Sequence, residues 1–164
     1  MDGETKIWEA ARATSAASSF FDPIIIGKDG EEFTDGATGN NNPVEEVYRE
    51  AREIWPESAI RCFVSIGTGI PAVTDFGDNL KEIGKSIIKI SIETENTAEA
   101  FKKRVGEYKL QGRYFRFNTT GLEGVGLEEY KKRALIASAT KRYLGKVDVL
   151  GQINECVRAL GKCM

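Results

Sequence analysis

Apolar residues recur along this chain in two rhythms and one continuous run, and each marks a different kind of element. Val44, Val47, Tyr48, Ala51 and Ile54 fall three and four apart, the spacing of one helical face. Asn42, Pro43 and Glu45 suit the N-cap, N1 and N3 positions of that helix. Leu127, Tyr130, Ala134 and Ala137 predict a second helix running to about Leu144. A third is expected from about Lys146, with Leu150, Ile153, Val157 and Leu160 on one apolar face. Residues 4–21 are rich in Ala and other small side chains, which favours helix, and two more helices are expected over 78–89 and 97–105.

The second rhythm is shorter. Pro23-Ile24-Ile25-Ile26-Gly27 and Glu31-Glu32-Phe33 flank Lys28-Asp29-Gly30, and the Asp-Gly pair predicts a hairpin of two short strands. Tyr114, Phe115, Arg116 and Phe117 alternate weakly, as a strand does. Ile60-Arg61-Cys62-Phe63-Val64-Ser65-Ile66 is nearly continuous in apolar character. It predicts a strand buried on both faces, as in a parallel sheet, ended by Gly67-Thr68-Gly69. Residues 34–42 and 121–126 read as loops, and no internal repeat is visible. The order of helix, hairpin, helix, buried strand and then mostly helices is α/β, thin in strands.

Composition narrows the chemistry. The 164 residues suit one domain. The net charge of −2, from 23 basic and 25 acidic residues, argues against a nucleic-acid partner. No apolar run approaches the roughly 20 residues that cross a bilayer. Met1-Asp2-Gly3-Glu4 shows no basic or apolar leader, so none is expected. Histidine is absent, which removes Ser-His-Asp and Cys-His mechanisms, His metal sites and imidazole switches. Cys62, Cys156 and Cys163 are odd in number and widely spaced, which predicts reduced, buried thiols and a cytoplasmic setting. No metal or organic cofactor is expected.

Three groups of residues could carry function. Asp35 directly follows a predicted strand and precedes Gly36 and Ala37, so a carboxylate can be presented from a rigid strand end as a general base. An ordinary Asp-Gly turn reads the same way. Gly67-Thr68-Gly69 after a buried strand could offer N–H groups to an anion, although it lacks the P-loop and dinucleotide patterns. Lys131-Lys132-Arg133 and Lys141-Arg142 fit a solvated helix face, or contact with a membrane surface or a partner.

Several segments taken in order carry a family resemblance. Trp8-Glu9-Ala10-Ala11-Arg12-Ala13-Thr14-Ser15-Ala16-Ala17, Phe21-Asp22-Pro23, Phe33-Thr34-Asp35-Gly36-Ala37 and Asn41-Asn42-Pro43-Val44 resemble a patatin-like phospholipase domain. So do Glu50-Ala51, Ile54-Trp55 and Val64-Ser65-Ile66-Gly67-Thr68-Gly69, and Tyr114-Phe115-Arg116-Phe117-Asn118 is similar to the fungal branch. The order and spacing are most specific over residues 7–69. The resemblance implies a three-layer α/β/α fold and a lipid acyl hydrolase using a Ser-Asp dyad on a glycerolipid or phospholipid ester. Asp35, in the Asp-Gly-Ala motif with Gly36 and Ala37, corresponds to its proton acceptor.

The nucleophile of that family is the serine of a Gly-x-Ser-x-Gly elbow, and a glycine-rich loop forms its oxyanion hole, both upstream of the Ala-rich helix. No serine here has glycine two residues before and two after it; Gly84-Lys85-Ser86-Ile87-Ile88 has only the first. The expectation is therefore a truncated, partial patatin-like fold that lacks the N-terminal strands and the elbow and is inactive alone. Residues 1–70 would be the C-terminal portion of the patatin-like domain, and 71–164 a mostly helical extension packing on it. The alternative is a non-catalytic remnant acting as an interaction module. Unpaired strand edges would favour self-association, and peripheral membrane contact is a further expectation.

Overall fold

A computed structural model describes residues 5–17, 20–36, 39–70, 81–122, 125 and 130–161, with the backbone alone over 81–91. The chain divides into two compact units, Met1–Asn41 and Asn42–Met164, at a point inside the segment that carries the strongest resemblance. Both helices and sheets are present, and the α/β expectation holds.

The first unit contains α1 (Ile7–Ala13), β1 (Ile24–Ile26) and β2 (Glu31–Phe33). Helix α1 is shorter than residues 4–21. Its end coincides with Thr14 and Ser15, whose hydroxyls both turn back to the Ala11 carbonyl, at 3.0 and 2.8 Å, competing with the helical ladder. The hairpin forms as expected, antiparallel, with Ile24 opposite Phe33 and Ile26 opposite Glu31. Its turn needs glycine at Gly27 and Gly30, where φ is +82° and +68°. Ala13, Ala16 and Ile26 form the buried centre of this unit.

The second unit is built on a β-α-β crossover. Its elements are α2 (Val44–Ile54), β3 (Phe63–Ile66), α3 (Lys81–Arg104), β4 (Tyr114–Phe117), a 3-10 turn over Tyr130–Lys132, α4 (Arg133–Leu144) and α5 (Val147–Gly161). Strands β3 and β4 pair in parallel, Phe63 with Tyr114 and Ile66 with Phe117. Side chains alternate across this pair. Phe63 and Tyr114 meet the α3 ring Phe101, with centroids 5.5 and 4.9 Å away. Ile66 and Phe117 line a cavity with Ile136 of α4 and Ile153 of α5. The sheet thus has helices on both faces. Val44, Phe63, Phe101 and Leu110 form the core on the α2–α3 side, where Tyr48 stacks on Tyr108 at 4.1 Å.

Four local expectations change. Asn42 does not cap α2; its amide donates instead to the Thr94 carbonyl of α3 at 3.2 Å, and the helix starts after Pro43. Residues 81–104 form one helix rather than two. No Gly or Pro falls between 85 and 104, and Thr97 bonds back to the Glu93 carbonyl at 2.9 Å from within the helix. Residues 78–80 of the expected first helix lie outside the described residues. Strand β3 is not buried on both faces, since Val64 is 43% and Ile66 77% exposed in a sheet of two strands among the described residues. On α5 the buried positions are Val149 and Cys156, while Leu150, Val157 and Leu160 are exposed. Leu127 and Cys163 also lie outside the described residues.

Candidate active site

Asp35 sits two residues beyond β2, half-buried. Its backbone N–H donates to the carbonyl of the buried Ala16 at 3.0 Å, tying the strand exit to the chain that follows α1. The Gly36 carbonyl then accepts the Asn40 N–H at 2.8 Å, closing a turn completed by Gly39 at φ +97°. Arg12 steadies the same unit by donating to the Asp22 carbonyl at 2.6 Å, with its guanidinium 5.6 Å from the Phe21 ring centre. The Asp35 backbone is thus fixed at both sides by main-chain bonds. A carboxylate so placed can accept a proton from a hydroxyl brought within hydrogen-bond reach. Ala37 lies outside the described residues.

The Gly67-Thr68-Gly69 turn is closed to anions at both glycines. The Gly67 N–H donates to the Phe117 carbonyl and the Gly69 N–H to Asn118 Oδ1, each at 2.8 Å. A polar network holds the turn from beneath. Asn118 Nδ2 donates to Glu95 Oε1 at 2.8 Å, and Arg116 bridges the same Glu95 oxygen at 2.8 Å to the Ser65 hydroxyl at 2.9 Å. A Cβ on Gly67 would collide with the Asn118 side chain and come within 2.8 Å of Arg116, so glycine is required there by close approach. The turn is a strand exit pinned by side chains, which is the simpler of the two readings. Ser65 is engaged with Arg116, and Ser15 donates to a helical carbonyl, so both hydroxyls serve local structure.

Beside this turn lies a cavity of about 490 Å³ lined by Ile66, Phe117, Leu122, Ile136, Leu144 and Ile153. Two of its polar lining groups are already used. The Tyr143 hydroxyl accepts the Asn118 N–H at 3.2 Å, and the Thr119 hydroxyl donates to the Thr120 carbonyl at 3.2 Å. Such a lining suits hydrocarbon.

Two thiols that sequence spacing leaves unrelated come together. Cys62, just before β3, and Cys156 of α5 are 3.7 Å apart at sulfur. Partial burial, then the hydrogen bond and charge of Cys156, push the Cys62 thiol up to about 11. Both are free thiols; Cys156 is buried as expected, whereas Cys62 is half-buried. No group of three metal-ligating side chains occurs among the described residues, and none of their helices is long and apolar enough to cross a membrane.

The α/β chain thus presents a carboxylate at a strand exit, and comparison with known proteins shows what it is similar to. Residues 1–48 match the family of patatin-like phospholipases. The chain is 35% identical over 115 residues to phospholipase A I of Arabidopsis thaliana, covering 69% of this chain and 9% of that protein. It is 31% identical over 140 residues to the calcium-independent phospholipase A2-gamma of Rattus norvegicus, and 29% to that of Homo sapiens. Those two matches cover 79% of this chain and 16% of each relative, so the chain spans a small part of the proteins it matches. No solved structure matches.

Proposed function

We propose that this chain contributes the proton acceptor of a patatin-like lipid acyl hydrolase, and that Asp35 is that group. The observation that carries the reading is the placement of Asp35-Gly36 inside the matched segment, on a strand exit whose backbone is bonded to Ala16. In the reaction, a serine hydroxyl loses its proton to Asp35 as its oxygen attacks a glycerolipid or phospholipid ester carbonyl. The leaving alcohol takes the proton back, and an acyl-enzyme remains for water to open. Two relatives carry calcium independence in their names, which accords with a mechanism that needs no calcium ion. The serine must come from outside these 164 residues, because none of theirs lies in a Gly-x-Ser-x-Gly elbow. Alone, the chain is inactive.

The test joins this chain to a patatin-like N-terminal half bearing the elbow and follows p-nitrophenyl ester hydrolysis and fluorophosphonate labelling. Asp35→Asn should lower hydrolysis by at least about 10²-fold with circular dichroism unchanged. Full activity of Asp35→Asn would refute the assignment, as would labelling of the chain alone. The second reading, a non-catalytic interaction module, is favoured by the missing elbow. It predicts that the joined protein folds yet neither labels nor hydrolyses.

A further inference from the structure

Residues 130–147 differ in charge from the rest of the molecule. They hold six cations and no acidic residue in a chain of net charge −2, so the remainder sums to −8. Lys131, Arg133, Lys141, Arg142 and Lys146 are all exposed. None of the five is in an ion pair among the described residues, whereas Arg49 on α2 is surrounded by Glu46, Glu50 and Glu53. Two of the lysines lie instead against aromatic rings, Lys131 at 6.0 Å from the Tyr130 centre and Lys146 at 5.9 Å from Tyr143. Glu128 and Glu129 precede the run and lie outside the described residues.

Apolar side chains are exposed among these cations. Val147 is 87% and Tyr130 77% exposed, and Leu135 and Leu144 project from the helix between them. On α4 the sheltered positions are Ile136, Ala139, Thr140 and Tyr143, which leaves Arg133, Leu135, Lys141 and Arg142 outward. A patch that served only to stay hydrated would not need uncovered aliphatics. A patch for nucleic acid would add cations rather than Val and Leu. Cations interleaved with exposed aliphatic and aromatic side chains fit a bilayer interface, where headgroup charge and the acyl boundary lie a few ångströms apart.

We propose that the 130–147 segment is a docking surface for an anionic lipid bilayer. Lys131, Arg133, Lys141, Arg142 and Lys146 contact headgroup phosphate and carboxylate, while Val147 and Leu135 enter the interface. The inner side of α4 supports this orientation, since Ile136 and Leu144 line the apolar cavity next to β3 and β4. Docking does not depend on Asp35 or on hydrolysis, so its failure and the failure of the catalytic reading are separate results.

The experiment is co-sedimentation of the chain with vesicles of phosphatidylcholine, with and without phosphatidylserine, at low and high salt. The chain should sediment with the anionic vesicles only, and less so as salt rises. Lys141→Ala with Arg142→Ala should weaken binding about 30-fold, in line with the contribution of each cation near a charged membrane. Val147→Asp should weaken it too, and both variants should keep the parent melting curve because the altered residues are exposed. If the double variant fails to fold, Lys131→Ala with Lys146→Ala is read in its place. Equal binding to neutral vesicles, no binding to anionic vesicles, full binding by the folded double variant, or preference for duplex DNA would each overturn the proposal.

Discussion

Replacing Asn118 by aspartate puts a sharp demand on the network beneath the Gly67-Thr68-Gly69 turn. Asn118 Oδ1 accepts the Gly69 N–H, and Nδ2 donates to Glu95 Oε1, each at 2.8 Å. In Asn118→Asp one oxygen can keep the Gly69 bond while the other faces Glu95 at the former donor position. Two unit charges about 2.8 Å apart repel by about 6 kcal/mol at an effective dielectric of 20 and by about 1.5 kcal/mol in water. The Arg116 guanidinium bound to the same Glu95 oxygen, and the one-third exposure of Glu95, reduce the repulsion, giving a cost of about 2–4 kcal/mol near neutral pH. The pair can escape by holding one proton between two carboxyls. The folded variant then binds a proton that the unfolded chain does not, so its deficit is largest at high pH and shrinks as pH falls through the carboxylate range. Urea unfolding followed by Trp55 fluorescence, with Trp8→Phe to silence the first unit, measures the gap. It should be wide at about pH 7 and largely closed by about pH 4.5. Asn118→Ala, which loses two hydrogen bonds without adding charge, should cost about 1–2 kcal/mol with little pH dependence. An Asn118→Asp deficit that stays constant across this range would show that Asn118 does not face Glu95.

Two further perturbations test other parts of the second unit. Phe101, fully buried against Phe63, Tyr114, Tyr48 and Tyr108, should cost about 3–5 kcal/mol as Phe101→Ala, read from the same urea midpoint; a loss below about 1 kcal/mol would place the core elsewhere. With its thiol pushed up to about 11, Cys62 should react with iodoacetamide about 50-fold more slowly than a free thiol at about pH 9, as followed by peptide mass spectrometry. The linked stability is present below the ordinary thiol value and is lost as pH rises through about 11, so fast alkylation at about pH 8 would contradict the Cys62–Cys156 contact.

What the sequence conveyed was local, and what it withheld was set by distant partners. The β1–β2 hairpin was legible because Asp29-Gly30 specifies its own turn, and α2 because five apolar residues repeat at helical spacing. The strand exit that carries Asp35 is legible for the same reason, since a strand and a glycine bracket it within three residues, whereas its role as a proton acceptor comes only from the family resemblance. Asn42 carries a good local capping signal, yet the Thr94 carbonyl 52 residues away takes its amide. The inward face of α5 departs from the apolar periodicity because Cys156, a small residue, packs against Cys62 from 94 residues away, with Val149 and Cys156 inward and Leu150 and Val157 outward. Neither that pairing nor the Glu95–Arg116–Asn118 network leaves a periodic signal, because each is made by single residues from separate elements.

These contacts also constrain what each unit can bring to acyl transfer. Stabilising a tetrahedral oxyanion requires N–H groups aimed at the developing charge, and losing one such donor costs about 10²–10³ in rate. Gly67 and Gly69 look like donors in the sequence, but their N–H groups are held by Phe117 and Asn118. Freeing them would break the bonds that shape the turn. The two glycines of this turn therefore offer no donor for polarising an ester. The α4 helix of the second unit has an apolar inner side along the cavity and a cationic outer side, matching the two ends of an amphiphile. The first unit offers the opposite capability, a single carboxylate on a rigid strand exit. In the proposed hydrolase the partner segment must then supply the oxyanion donors as well as the serine. A serine placed near Asp35 without those donors would gain a base and still leave the charge on the ester oxygen uncompensated.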